Sequence, residues 1–511
     1  MHGGDPREAA RCALNRACEH LARTQAADGA WRLPPAPRIL ENALACLIAE
    51  AFVPELLPHV AAARHWVLDA AVQRHHEVPR VLDSWLQAWV SGRAREAGPD
   101  LTHAAFSEPV FAPRRLTFCA LALALDTPVQ GGLPREHLQA RMLELVRTRH
   151  VSRLKTWSVA EAAALFLLLG GTGSPEDTAL ALDALCEAQL PSGSFGEHQV
   201  ATFLALAALR RQAPGSAPFA RALDFLLRTR AEDGTWRFSH ADVWDTALLC
   251  RALEGHERFG ATLRDGAEAF LLRHQKRDGG WPYRNDVESD TDTTGMVMLA
   301  LSPGAASLDA SRAAAGYLSR MRTEAGLWRT WQYREDPPAE EVVAHAVLGL
   351  RRWGADGDAW LPGTQWLATR LHEDTGWCAH WYNMQSYAAH EIGMALGPAH
   401  PATRHAARLL VARRNADGGW GPTAGAASSA AATGMSLALL GHYLPAEHPV
   451  ISRAVHLLVE LQQPDGAWPG PVEMFVPRPF AIDYPMQALA LAAHGLALVA
   501  GPPRAPLIPL E

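Results

Sequence analysis

The sequence predicts an all-α protein: an α/α toroid of six helical hairpins with a smaller helical domain inserted near its start. Three observations predict it. A Gln-x-x-Asp-Gly-x-Trp motif recurs along the 511 residues, apolar helical runs flank each copy, and strand-type alternation is scarce. Hydrophobic residues make up 48% and charged residues 20%, an ordinary globular balance that argues against disorder. The net charge of −7 disfavours non-specific nucleic-acid binding, so no nucleic-acid partner is expected.

The chain opens Met1-His2-Gly3-Gly4-Asp5, which lacks the charged and apolar regions of a signal peptide. No run reaches 18 apolar residues, so no membrane span is expected. The seven cysteines are scattered without a CxxC pair, which indicates neither a disulfide framework nor a structural zinc site. A reducing, cytoplasmic location is expected.

The repeat sets the order of elements. Copies run Gln25 to Trp31, Gln189 to Phe195, Arg230 to Trp236, Gln275 to Trp281, Arg414 to Trp420 and Gln462 to Trp468, with degenerate copies ending at Trp328 and Trp377. From Trp236 onward the aromatic position returns every 43 to 49 residues. In each unit an apolar helical run precedes the motif, Asp-Gly makes a turn, and a second apolar run follows. Two helices per repeat match helical arrays, which close into a ring or stay open as a solenoid; periodicity alone permits both. The step from Trp31 to Phe195 breaks the rhythm. It marks an inserted helical domain, giving expected boundaries of 1–32 for an N-terminal helix of the toroid, 33–215 for the insertion and 216–511 for the toroid proper.

The repeat resembles the QW motif of squalene-hopene cyclases and related class II terpene cyclases. The resemblance is strongest over 220–490, good over 8–31 and weak over 32–215. It implies a two-domain βγ architecture, and it implies that the motifs pin outer helices together rather than carry chemistry.

The segment Asp290-Thr291-Asp292-Thr293-Thr294 opens the helical run Met296-Val-Met-Leu-Ala-Leu. It stands where the family carries its D-x-D-D acid motif, with Thr293 at the fourth position. This D-x-D-T-T form resembles that of bacterial drimenyl diphosphate synthases. Physically, protonating an alkene needs a strong acid beside an apolar chain, and a carboxyl kept neutral by burial and a second carboxylate can serve. Asp292 is the expected donor, Asp290 the second carboxylate, and one proton is expected to be shared between them. Glu341 and His345 are spaced i,i+4 and share a helical face. The resemblance implies that His345 orients Asp292, with Glu341 behind it.

Further site residues follow from the resemblance. Val243-Trp244-Asp245-Thr246 has a counterpart in hopene cyclases, making Trp244 a candidate cavity wall and Asp245 a candidate network member. Trp381 and Tyr387 lie in a segment like the aromatic cavity lining of diterpene cyclases. Trp281, Tyr283, Phe480 and Tyr484 are further candidates. Aromatic faces stabilise carbocations without attacking them. A retained diphosphate needs cationic contacts, for which Arg284, Arg153 and Lys155 are candidates. Mg2+ is expected to accompany the diphosphate, with no ligand assignable.

The chain is short for a squalene cyclase, and the insertion has lost most motif copies. The expected activity is therefore class II cyclisation of farnesyl diphosphate to drimenyl diphosphate. The rivals are a diterpene cyclase using geranylgeranyl diphosphate, a non-catalytic toroid acting as a binding module, and a protein prenyltransferase β subunit, which is disfavoured because no Asp-x-Cys element occurs in the repeats. The Asp-Asp dipeptide of D-D-x-x-D class I clusters is absent.

Overall fold

The computed structural model describes residues 5–93, 97–171, 173–471, 474–502 and 508–510. The chain begins with α1 (Pro6–Thr24). The inserted segment carries α2 (Ile39–Ala51), α3 (Ala61–Asp69), α4 (Glu77–Val90), α5 (Ala112–Ala124), α6 (Arg135–Ser152), α7 (Thr156–Leu168), α8 (Pro175–Ala188), α9 (Gln199–Gln212) and α10 (Ala217–Arg228). The remainder carries α11 (Asp242–Ala252), α12 (Glu257–Thr262), α13 (Arg264–Arg273), α14 (Thr291–Ala300), α15 (Ala305–Met321), α16 (Glu340–Arg352), α17 (Leu361–Ala368), α18 (Gln385–Leu396), α19 (Pro401–Ala412), α20 (Ala430–Leu440), α21 (Pro449–Leu461) and α22 (Pro485–Ala500). A two-stranded hairpin, β1 (Met474–Phe475) and β2 (Ala481–Ile482), precedes α22. No described helix is long and apolar enough to cross a membrane.

The ring closes. The inner helices α11, α14, α16, α18, α20 and α22 pack each against the next, and α22 returns to α11. Outside them α13, α15, α17, α19, α21 and α1 complete six hairpins. Inner helices are enclosed on every side, so they read as apolar all round: every residue of α20 is buried. Small residues let neighbours approach. A Cβ on Gly495 of α22 would sit 2.1 Å from the Gly434 carbonyl oxygen of α20.

The repeated motif is the staple. In the copy ending at Trp281, the indole N–H donates to Leu271 O in the last turn of α13 (2.7 Å), a carbonyl that also accepts the His274 N–H (3.1 Å). Gln275 donates to Gly279 O (2.8 Å) and across to Ala310 O of the next outer helix (2.7 Å). The backbone N–H of Trp281 donates to Thr294 Oγ1 on inner helix α14 (2.9 Å). Gly279 has φ +87°, and any Cβ there would meet Ala313 O at 2.4 Å. The same Trp-to-carbonyl bond recurs at Trp31, Trp328, Trp377, Trp420 and Trp468.

A second core lies in the inserted segment. It takes in Phe219, Ala222, Phe225, Leu226 and Trp236. Helix α10 packs on α9 of the insertion, so the motif ending at Trp236 is not a toroid repeat. The expected border at 215 is therefore early, and the toroid resumes at α11. The sequence hid this because the Trp236 copy has the same local form as its neighbours.

Candidate active site

Asp290 and Asp292 owe their positions to the start of α14. Asp290 is its N-cap, accepting from the Thr293 N–H (2.6 Å) and the Thr293 hydroxyl (2.9 Å). Burial first, then the charge of Asp292, pushes its carboxyl up to about 8 against the Thr293 bonds. Asp292, two residues on, turns to α16 instead. Its Oδ1 lies 2.6 Å from His345 Nδ1. Gly295 makes this possible: a Cβ there would come within 2.7 Å of the His345 carbonyl carbon. The two carboxyls thus bond to different partners, and the expected shared proton between them has no direct bond to carry it.

Thr293, at the position of the family's fourth Asp, is a donor to Asp290 rather than a third acid. Thr294 staples α14 to Trp281 and donates to Asp290 O (2.6 Å).

Behind His345 stands Glu391 of α18, not Glu341. Glu391 Oε2 is 3.2 Å from His345 Nε2 and 2.8 Å from Arg251 Nη1, and Oε1 is 3.1 Å from His390 Nδ1. Burial opposes charge on Glu391, but Arg251 and the two histidines outweigh it and hold the carboxyl well below its usual range. Burial likewise opposes charge on His345, yet Asp292 and then Glu391 raise it to about 9.

Glu341 faces elsewhere because it sits in the first turn of α16. Its Oε1 accepts from the backbone N–H groups of His380 and Trp381, each at 2.6 Å. Burial and the charge of Asp292 push it up to about 7. The i,i+4 spacing with His345 was correct, but the nearby loop offers two donors and His345 offers none free.

Asp290, Asp292 and Thr293 open on a cavity of about 510 Å³ between the toroid and the insertion. Trp244, Tyr283, Trp381 and Tyr484 line it, as does Lys155. Trp244 is fixed by its indole N–H to Tyr382 Oη (3.1 Å), and Tyr382 donates to Gln487 Oε1 (2.7 Å). Gln487 in turn donates to Asp245 (2.9 Å), whose carboxyl burial pushes up to about 8. Asp245 is thus a network member behind the wall. Tyr387 is also one layer back, its ring centroid 4.1 Å from that of Tyr382.

Other expected residues lie outside the cavity wall. Trp281 is a fully buried staple. Arg284 turns to Glu197 (3.4 Å). Arg153 is the exposed, left-handed cap of α6. Phe480 is buried in the second core, its ring 6.3 Å from Phe118. In each case sequence proximity to a motif did not carry the side chain inward.

Sequence reasoning missed Trp157, Trp331, Arg114, Arg478 and Glu391. Trp331 stands edge-on to Trp157 (5.1 Å), Tyr283 (6.2 Å) and Trp381 (6.4 Å), so it links the aromatic walls of both domains. Lys155 Nζ sits 4.8 Å from the Trp331 ring centroid and 3.3 Å from Asp336 Oδ2, and burial lowers its ammonium below the usual range. Arg114 and Arg478, lowered in the same direction by burial, line the same cavity. Glu391 had one signal: a His-Glu pair inside an otherwise apolar run, Tyr387-Ala-Ala-His-Glu-Ile-Gly.

The chain has recognisable relatives. It is 28% identical over 258 residues to a probable squalene–hopene cyclase of Sinorhizobium fredii, an alignment covering 40% of this chain and 39% of that one. It thus spans well under half the length of the squalene–hopene cyclases it matches. It is 26% identical over 466 residues to a drimenyl diphosphate synthase of Streptantibioticus cattleyicolor, covering 84% of each. Among solved structures, an ent-copalyl diphosphate synthase from Streptomyces platensis aligns over 97% of this chain and 95% of its own, with a TM-score of 0.53 at 19% identity. Abietadiene synthase from Abies grandis aligns over 90% of this chain and 59% of its own, with a TM-score of 0.50 at 12% identity. No protein-family model matches the chain.

Proposed function

We propose that the chain, which is similar to class II terpene cyclases, converts farnesyl diphosphate to drimenyl diphosphate, with the diphosphate retained. The observation that carries the reading is Asp292, held by His345, on the wall of an aromatic cavity. Similarity to a drimenyl diphosphate synthase over 84% of the chain and the D-x-D-T-T form support the fifteen-carbon substrate. The volume lies within the roughly 300–1,000 Å³ common for small-molecule sites.

The chemistry balances as an isomerisation. With Oδ1 held by His345, Asp292 on the cavity wall is left Oδ2 to carry the proton that it adds to the distal alkene. Two ring closures move the cation inward, past the faces of Trp244, Trp331 and Trp381. Loss of one proton forms the final alkene. No C–O bond to the diphosphate breaks.

Lys155, Arg114 and Arg478, which line the cavity, are proposed to meet that diphosphate; Arg141, also on the wall, pairs with Glu144 and Glu335. Mg2+ is proposed as its counter-ion. Among the described residues no three His, Cys, Asp or Glu side chains converge on a metal position. Glu161 and Asp336 on the wall suit an ion held mainly by phosphate oxygens.

The test is incubation with farnesyl or geranylgeranyl diphosphate and Mg2+, then phosphatase and mass spectrometry. A bicyclic fifteen-carbon alcohol from the former is expected. Farnesol alone would refute the sesquiterpene reading, and a bicyclic twenty-carbon alcohol would move the substrate to the diterpene class.

A further inference from the structure

Buried ion pairs seldom gather without a reason, and the one behind the acid is large. His345 and Glu391 side chains are 0% and 2% exposed. Burying charge is costly unless each group is paired, and here each is. His345 faces a carboxylate at both ring nitrogens: Asp292 Oδ1 is hydrogen-bonded at Nδ1 (2.6 Å) and Glu391 Oε2 is in ion-pair contact at Nε2 (3.2 Å), where the Tyr387 hydroxyl is the hydrogen-bond partner at 3.5 Å. A neutral imidazole has one N–H and cannot satisfy two carboxylates; the imidazolium can.

We propose that Glu391, clamped by Arg251, is a positioning residue that keeps both nitrogens of His345 protonated, so that Asp292 accepts at Oδ1 and holds its own proton on Oδ2, facing the cavity. The inference rests on Asp292 being the acid of the proposed cyclisation. Its logic is a choice between two proton arrangements. If His345 is neutral, Asp292 donates its proton from Oδ1 to Nδ1, and that proton points away from the alkene. If His345 is an imidazolium, the Nδ1–H donates and the proton of Asp292 is free for transfer. The negative charge of Glu391 makes the second arrangement accessible near neutral pH.

The other groups facing this pair leave Glu391 in that role. Asp292 comes from α14 and Arg251 from α11. Tyr387 and His390 come from α18, and His494 of α22 meets the His390 ring edge-on at 5.0 Å. On α16 itself Glu341 is engaged by loop N–H groups. Helix α20 brings no titratable side chain.

The test uses the intact protein. Imidazole 15N NMR, with His345 assigned through H345Q, is expected to show His345 doubly protonated through neutral pH. In E391Q its titration should fall by about one to three pH units. In parallel, the turnover–pH profile of E391Q should shift to lower pH by a similar amount. Turnover at pH 7.5 should drop roughly 10–100-fold and recover in part on acidification. The double variant R251M/E391Q removes both buried charges and guards against misfolding of the single one.

A neutral His345 in the wild-type protein at pH 7.5 overturns the proposal. So does an E391Q profile that is scaled down without being displaced, which marks a merely structural role. The NMR arm needs no substrate, so failure of farnesyl diphosphate to react leaves it decisive.

Discussion

At the residue scale, the site turns on which carboxyl bonds to what. Asp290 and Asp292 stand two apart at a helix start, yet one is a cap and the other is held across to α16. Removing the acid as Asp292→Asn is expected to cut turnover by about 10²–10⁴-fold with little change in melting temperature, measured by product formation and thermal shift. Thr293→Val removes one hydroxyl donor to Asp290, and a loss of roughly 5–10-fold in kcat is expected. The acid motif was legible in the sequence because it is local: cap, acid and helix start lie within five residues. Arg284 was misread for the opposite reason. It adjoins the motif in sequence, but its side chain is drawn to Glu197, some 87 residues away. Glu391 lies 46 positions beyond His345, on the next inner helix, and only the packing of α18 on α16 reveals that neighbour.

At the element scale, two devices position the acid. The staples hold outer helices to inner ones, and glycine contacts let inner helices touch. Trp281→Phe keeps an aromatic ring but removes the indole donor to Leu271 O, whose remaining partner is the His274 N–H, and should cost about 1 kcal/mol for that bond without changing the product. Chemical denaturation with product analysis checks both halves of that statement. Gly295→Ala tests the second device. Its methyl would press on the His345 backbone and widen the α14–α16 contact, so activity should fall far more than secondary structure, followed by circular dichroism and turnover together. The staples were legible because the same physical task is solved by the same residues in every repeat. The border of the insertion was not, since the Trp236 copy does that task in the other domain.

At the scale of the whole molecule, the buried titratable groups set a pH dependence. Burial pushes Asp245 and Asp290 up to about 8, and carboxylate neighbours raise His345 to about 9 against burial. The folded protein therefore keeps protons that the unfolded chain has released. For the two aspartates the window runs from the ordinary carboxyl range to about 8, and for His345 from the ordinary imidazole range to about 9. Stability from these groups must fall as pH rises through those windows. Buried histidines held below their usual value, such as His198, His240 and His380, oppose this trend through the ordinary imidazole range, so the melting temperature is expected to decline from about pH 7.5 to pH 9, and Asp290→Asn should flatten the decline; a melting temperature that climbs over that range would speak against the assignments. The closed ring itself was only half legible: the period announced hairpins, but closure depends on α22 meeting α11, a contact between helices some 240 residues apart.

The central claim is that Asp292 delivers a proton to an alkene. The most direct measurement is turnover of farnesyl diphosphate in D2O, followed by phosphatase treatment and mass spectrometry. A bicyclic alcohol carrying one deuterium on the carbon protonated first, and lost in Asp292→Asn, is the predicted result. A product with no deuterium, or a labelled product that persists in the variant, would contradict the account.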